Sequence, residues 1–230
     1  MLVYAHRGSS GRLPENTLAA LRGAIADGAD GVEFDLRAAR DGELVLLHDR
    51  ALDRTTDGTG PVDAMPLAAL RRFRTANGEP VPTFVEVLTA IGGQTALDIE
   101  LKQPGIEPAV LATLRAARIA PWLISSFDWA SLEVVRALDP AAPLWPLSRR
   151  CDDALLDFAT RISAAGVAVG AAAFTSKVAS TLRRLGLSAA VWTVNDPVEA
   201  CRLRDLGVAI LITDRPAHIR RALAEDHRSR

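Results

Sequence analysis

Short apolar runs alternate with amphipathic stretches along most of the chain, and the alternation predicts strands and helices in turn. The run Leu2–His6 reads as a strand. Residues 16–27 then carry Leu18, Leu21 and Ile25 on one helical face, with Asn16 as the expected N-cap and Gly28 as the closing residue. Residues 32–36 form the next strand. The turn dipeptide Asp41-Gly42 leads into a further strand over 43–47, and a hairpin there would return His48 to the level of Glu33 and Asp35. Residues 49–82 break the pattern. Turn formers such as Asp57-Gly58, Gly60-Pro61 and Asn77-Gly78 surround one short helix expected near 67–74. Thr83-Phe84-Val85-Glu86 has the spacing of a capping box for a helix over Phe84–Ile91.

From there the order is regular. Strands are predicted over Ala96–Leu101, 123–127, 144–147, 167–169, 189–194 and 209–213. Helices are predicted over 107–118, 130–138, 152–161, 178–185, 197–206 and 216–224. With 43–47 set aside as a hairpin return, a parallel set of strands remains, each followed by a helix. That order matches a (β/α)8 TIM barrel. It is read as one domain over 1–230, with 49–82 as a small inserted subdomain after the second strand. An open doubly wound sheet is the alternative, but no Gly-x-Gly-x-x-Gly turn follows the first strand.

Composition narrows the class. The chain has 230 residues, 49% of them hydrophobic, which suits one large core. The net charge is −1 and basic residues are dispersed, so no nucleic-acid surface is implied. No uncharged apolar run approaches the ~18 residues a membrane span needs, so no stable membrane insertion is expected. Met1 runs directly into the first motif without a signal-peptide pattern, and Cys151 and Cys201 do not make a disulfide framework. A cytoplasmic protein with free thiols is the expectation.

Chemistry collects at the predicted strand ends, where barrel active sites lie. His6 and Arg7 follow the first strand, Glu33 and Asp35 stand on the second, His48 follows the hairpin, and Glu100 and Lys102 end the next. Glu33 and Asp35 are two apart, so they share a face, and Glu100 and Lys102 repeat the spacing. Three convergent carboxylates repel unless a cation offsets them. Oxygen-only ligands suit Mg²⁺, Ca²⁺ or Mn²⁺ rather than zinc. The alternative is ion pairing of these carboxylates with Arg7, Arg37 and Lys102. Two histidines beside the cluster suggest a general acid and a general base. Arg7 and Lys102 supply positive charge for a phosphoryl group. Only two of the 27 basic residues are lysines, and one of them is Lys102. Glu15 and Asn16 either orient Arg7 or cap the first helix. Trp192 is either an ordinary barrel residue or a wall for the alcohol part of a substrate. Asp214 is read as a loop ion pair with Arg215.

These residues resemble the glycerophosphodiester phosphodiesterase family over nearly the whole chain. The resemblance runs through His6-Arg7-Gly8, Pro14-Glu15-Asn16-Thr17, Gly31-Val32-Glu33-Phe34-Asp35, His48-Asp49 and Leu52-Asp53-Arg54-Thr55-Thr56. It continues through Pro82-Thr83-Phe84-Val85-Glu86, Ile99-Glu100-Leu101-Lys102, Ser125-Ser126-Phe127, Trp192-Thr193-Val194-Asn195 and Thr213-Asp214-Arg215-Pro216. It implies a divalent cation held by Glu33, Asp35 and Glu100, acid–base roles for His6 and His48, and phosphate binding by Arg7 and Lys102. The implied reaction releases sn-glycerol 3-phosphate and an alcohol from a small glycerophosphodiester. Two departures stand out: Ala39-Arg40 before the Asp41-Gly42 turn, and an alanine-rich stretch over 170–176. Lysophospholipid hydrolysis is a second reading, with Leu67, Leu70 and Phe73 as an apolar ramp. A non-catalytic phosphoester-binding barrel is a third.

Overall fold

A computed structural model describes residues 1–228. The elements run β1 (Leu2–His6), α1 (Leu18–Ala26), β2 (Gly31–Ala38), β3 (Leu44–Leu46), α2 (Leu67–Leu70), α3 (Phe84–Ile91), β4 (Ala96–Leu101) and α4 (Glu107–Ala117). Then follow β5 (Trp122–Ser126), α5 (Trp129–Leu138), β6 (Leu144–Ser148), α6 (Asp153–Arg161), β7 (Gly166–Gly170), α7 (Ser176–Leu185), β8 (Ser188–Trp192), α8 (Pro197–Asp205), β9 (Ile210–Thr213) and α9 (Pro216–Arg228). Short 3-10 turns occur at Val62–Ala64 and Ala171–Ala173.

The strands close into a ring in the order β1-β2-β4-β5-β6-β7-β8-β9, because β1 pairs with both β2 and β9. All pairings within the ring are parallel, so the molecule is a (β/α)8 TIM barrel. β3 pairs antiparallel with the far end of β2, Leu36 opposite Leu46 and Ala38 opposite Leu44, as the turn at Asp41-Gly42 predicts. β2 therefore extends three residues beyond its sequence estimate of 32–36 at its combined ends: one at the start and two where β3 supports it.

Alternation sorts each strand into an inner and an outer face. Beneath and beside the mouth the inward positions are apolar: Tyr4, Leu123, Trp145, Leu147, Ala168, Ala190, Ile210 and Ile212 form one cluster. Tyr4 fits because its neighbour across β1–β2 is Gly31, where a Cβ would lie 2.4 Å from the tyrosine ring. Outward positions such as Val32, Phe34, Ile99 and Ile124 pack under the helices. The same period that turns Phe34 outward turns Glu33 and Asp35 inward, into the barrel mouth.

Between β3 and α3 the chain builds a core of its own from Ala39, Val45, Leu47, Leu52, Val62, Leu70 and Val81. The β3 hairpin is shared: Leu44 and Leu46 face the barrel core while Val45 and Leu47 face this second cluster. Leu67 and Phe73 pack against it, and Leu70 is fully buried within it. The helix expected over 67–74 is shorter, ending at Leu70. The capping box at Thr83 and Glu86 forms as the sequence predicts. Among the described residues no helix is long and apolar enough to cross a membrane.

Candidate active site

Register brings the chemistry together. His6 lies opposite Glu33 across β1–β2, and Asp35 lies opposite Glu100 across β2–β4. Asp35 is fully buried, Glu33 is 3% exposed and Glu100 is 8% exposed. One carboxylate oxygen from each lies within 4.8 Å of the others. That spacing suits oxygens sharing one cation at bond lengths of about 2.0–2.6 Å. Glu33 Oε1 and Asp35 Oδ1 are buried and accept no hydrogen bond. Buried acceptors left bare are costly, and a hard cation would satisfy both. The donor set therefore fits a divalent metal.

The surrounding charge agrees. Burial, then Asp35 and Glu100, push the Glu33 carboxyl well above its usual range. Burial and then Asp35 push Glu100 up to about 8, against the partial relief of Lys102. Asp98, one turn of the pleat below, is pushed up to about 7 by burial despite its hydrogen bond from Ser125 Oγ at 2.6 Å. Burial is the largest cause in each case, and the neighbouring carboxylates of this acid cluster add to it.

Two cations do reach it. Lys102 Nζ donates to Glu100 Oε1 at 2.6 Å and lies 3.6 Å from Asp35 Oδ1. Arg7 Nε lies 3.2 Å from Asp35 Oδ2, and Arg7 Nη1 donates to Glu15 Oε1 at 2.8 Å. Arg37 does not join them. Its Nε and Nη2 both donate to the His48 carbonyl, at 3.0 and 2.8 Å, and so hold the backbone under that histidine. The ion-pair alternative thus accounts for Arg7 and Lys102 but not for Arg37.

The two histidines flank the carboxylates, each with an acid on Nδ1. His6 Nδ1 lies 2.7 Å from Asp214 Oδ1, and His48 Nδ1 lies 2.6 Å from Asp49 Oδ1. A carboxylate on Nδ1 fixes the ring and leaves Nε2 free for proton transfer. Asp214 is not the partner of Arg215 that chain adjacency suggests. Burial raises its pKa, but hydrogen bonds from His6 and Asn195 outweigh that and bring it to about 2, so it stays ionised. Burial lowers the His48 pKa, only partly offset by Asp35 and the Asp49 bond.

Asn16 also differs from expectation. Thr17 caps α1, accepting from Ala20 N, and Asn16 turns inward at φ +55°, a left-handed conformation asparagine tolerates. Its Nδ2 donates to Asp35 Oδ2 at 2.7 Å and its Oδ1 accepts from Asp35 N at 3.2 Å. Asn16 therefore aims Asp35, while Glu15 aims Arg7. The Pro14-Glu15-Asn16-Thr17 segment held that signal, although a cap is the commoner reason for an asparagine before a helix. Asn16→Ala is expected to weaken divalent-cation binding about 10–100-fold, the usual loss when an outer partner of a metal ligand goes. Titration calorimetry reads this directly; a dissociation constant within threefold of the parent would remove Asn16 from the aiming of Asp35.

Trp192 ends β8 and meets Phe127 edge-on, with ring centroids 5.4 Å apart. Its Nε1 is buried without a hydrogen-bond partner. Lys102 Nζ lies 5.7 Å from the Phe127 centroid, so this aromatic pair borders the charged cluster. A hollow of about 430 Å³ opens beside His48 and Lys102, lined further by Phe127, Trp129, Leu147 and Arg149.

Sequence comparison places this geometry among known proteins. The profile of the glycerophosphoryl diester phosphodiesterase family matches residues 6–218. A glycerophosphodiester phosphodiesterase of Caldanaerobacter subterraneus subsp. tengcongensis is 32% identical over 229 residues, covering 94% of each chain. One from Bacillus subtilis is 31% identical over 246 residues, 94% of this chain and 84% of that one. Among solved structures, a phosphodiesterase of Oleispira antarctica in complex with the product sn-glycerol-3-phosphate superposes with a TM-score of 0.93 at 31% identity, over 97% of both chains. The match begins at His6 and spans the acid cluster and both histidine–aspartate pairs, and the chain belongs to the glycerophosphoryl diester phosphodiesterase family.

Proposed function

We propose that the chain hydrolyses glycerophosphodiesters to sn-glycerol 3-phosphate and an alcohol with the help of one divalent cation, Mg²⁺, Ca²⁺ or Mn²⁺. The observation that carries this reading is the buried Glu33–Asp35–Glu100 cluster with a histidine–aspartate pair on either side. The phosphodiesterase unit is taken as one domain over 1–230, with 49–82 as an insertion that supplies Asp49 and Arg54. With Cys151 and Cys201 as free thiols, a reducing cytoplasm fits as its place of action.

When bound by Glu33, Asp35 and Glu100, the cation would act as a Lewis acid and offset the charge that grows on the phosphoryl oxygens. Arg7 and Lys102 hold the non-bridging oxygens from the protein side. One histidine takes a proton from the nucleophile through Nε2, and the other gives a proton to the departing alkoxide as the phosphorus–oxygen bond breaks. Asp214 and Asp49 steady the imidazolium each histidine passes through. The nucleophile is water or the glycerol 2-hydroxyl, which would form a cyclic phosphodiester first. A substrate lacking the 2-hydroxyl separates the two, since full activity on it rules out the cyclic route.

The alcohol group is assigned to the hollow bordered by Phe127, Trp129 and Leu147, with Trp192 supporting Phe127 edge-on from behind. An acyl chain would need a longer apolar surface. Leu67, Leu70 and Phe73 do not supply one, because they pack into the core between β3 and α3. Parallel assays on glycerophosphocholine and lysophosphatidylcholine test this choice. The expected result is glycerol 3-phosphate from the first and little lysophosphatidic acid from the second; the reverse preference would transfer the site to lysophospholipids.

A further inference from the structure

Arg54 lies outside the barrel, in the segment between β3 and α3, yet its guanidinium reaches both sides of the catalytic apparatus. Nε donates to Asp49 Oδ2 at 2.5 Å. Nη1 and Nη2 donate to Glu15 Oε2 and Oε1 at 2.8 and 2.7 Å. The other oxygen of Asp49 holds His48 Nδ1 at 2.6 Å, and Glu15 Oε1 also accepts from Arg7 Nη1 at 2.8 Å. One planar fork thus closes a continuous path: His48, Asp49, Arg54, Glu15, Arg7.

We propose that Arg54 is a positioning residue that fixes His48 and Arg7 relative to each other, so that the proton-transferring ring and the phosphoryl-binding guanidinium are set by one side chain. This rests on the proposed hydrolysis, in which His48 moves a proton and Arg7 binds the phosphoryl group.

Three features favour that role. First, Arg54 is presented from a held turn. The Thr55 and Thr56 amides donate to the Leu52 carbonyl at 3.3 and 3.1 Å, and Leu52 is fully buried in the segment's core. Second, the partners need anchoring. Asp49 is 34% exposed at its side chain and would otherwise be free to rotate away from His48. Third, the geometry needs arginine. Three donors in one plane meet two carboxylates at once, which an ammonium on a flexible stem cannot reproduce. The Arg54 side chain is itself 47% exposed, so these pairs contribute little to overall stability. Their weight lies in placement, where an error near 1 Å can cost about 100-fold in rate.

The test uses the full chain with Mg²⁺ and glycerophosphocholine. Arg54→Ala is expected to keep its melting temperature within a few degrees while kcat falls about 10–100-fold. Arg54→Lys is expected to remain nearly as slow. Millimolar guanidinium ion is expected to restore part of the activity of Arg54→Ala and none of Arg54→Lys. Combining Arg54→Ala with Asp49→Asn, or with Glu15→Gln, is expected to cost little more than the worse single change, because each pair acts as a unit. A wild-type chain that hydrolyses the diester while Arg54→Ala stays within threefold of its kcat overturns the proposal. So do multiplicative effects in both double variants. Should alanine unfold the chain, Arg54→Lys decides alone: kcat within threefold overturns the positioning role. A wild-type chain inactive with every divalent cation would instead sink the hydrolysis reading, a different failure seen before any variant is made.

Discussion

Alanine in place of His6 or of His48 is expected to lower kcat/KM for glycerophosphocholine by roughly 10²–10⁴-fold, the range for losing a positioned general acid or base. Both rings are tethered at Nδ1 by a carboxylate, at 2.7 and 2.6 Å, so neither is free to swing in for the other. The two losses differ in kind. The histidine that protonates the departing alkoxide matters less when the leaving group needs no proton. On a p-nitrophenyl phosphodiester one alanine variant should therefore regain much of its rate while the other does not. That comparison assigns acid and base. Equal losses on both substrates would contradict the division of labour, and a loss under threefold would remove that histidine from the mechanism.

Glu33→Gln is expected to cost about 10³-fold in kcat/KM, the rate equivalent of the several kcal/mol a Lewis-acid cation supplies. The change is nearly isosteric, and glutamine can still accept the bond that Arg7 N gives to Glu33 Oε2 at 2.8 Å. Fold and charge effects should therefore separate in a melting experiment. The pH dependence has a definite sign. Glu100 and Asp98 have folded pKa values raised to about 8 and about 7, from ordinary values of 4.5 and 3.8. A raised carboxyl pKa gives a contribution that is complete below the ordinary value and lost as pH rises through the folded one. From about pH 5 to 8 the metal-free barrel mouth therefore becomes more strained, as these buried acids ionise against the cost of burial and of their neighbouring carboxylates. Binding a cation needs the ionised form of Glu100, one of its three ligands, so the cation should stabilise more at pH 8 than at pH 5.5. At a free concentration 100 times the dissociation constant the gain is about 2.7 kcal/mol, roughly 5–10 °C in a chain of this size. Glu33→Gln should raise the metal-free melting temperature at pH 8 and lose most of the cation response. A cation response equal at both pH values, or intact in Glu33→Gln, would contradict the assignment.

The barrel and its acid cluster are readable from the chain because both follow from local periodicity. Glu33 and Asp35 stand two apart, so one pleat turns both inward, and Glu100 with Lys102 repeats the pattern two strands later in the sequence. His6 ends β1, and His48 follows β3 by two residues, after a hairpin whose turn shows at Asp41-Gly42. The rest depends on closure. Asp214 looks like a neighbour of Arg215 until β9 pairs with β1, Thr213 opposite Ala5, and brings it to His6 across 208 positions. Asn16 looks like a helix cap because asparagine caps well, but Thr17 is also a capping residue and takes that place. That frees Asn16 for Asp35. Arg54 is harder still, since its segment has no period and its partners are 5 and 39 residues away. Side chains that hold other side chains leave little trace in a hydrophobic pattern, whereas those that line a strand do.

The proposed reaction is cation-dependent hydrolysis of a glycerophosphodiester at the Glu33–Asp35–Glu100 cluster. Release of glycerol 3-phosphate from glycerophosphocholine by the purified chain tests it most directly, measured after EDTA and again after adding back Mg²⁺ or Ca²⁺. The expected result is no release with EDTA and full recovery with one of the cations. Undiminished release in EDTA from a chain shown to be free of bound metal would contradict the role of the acid cluster. No release with any divalent cation, from a folded sample, would contradict the substrate.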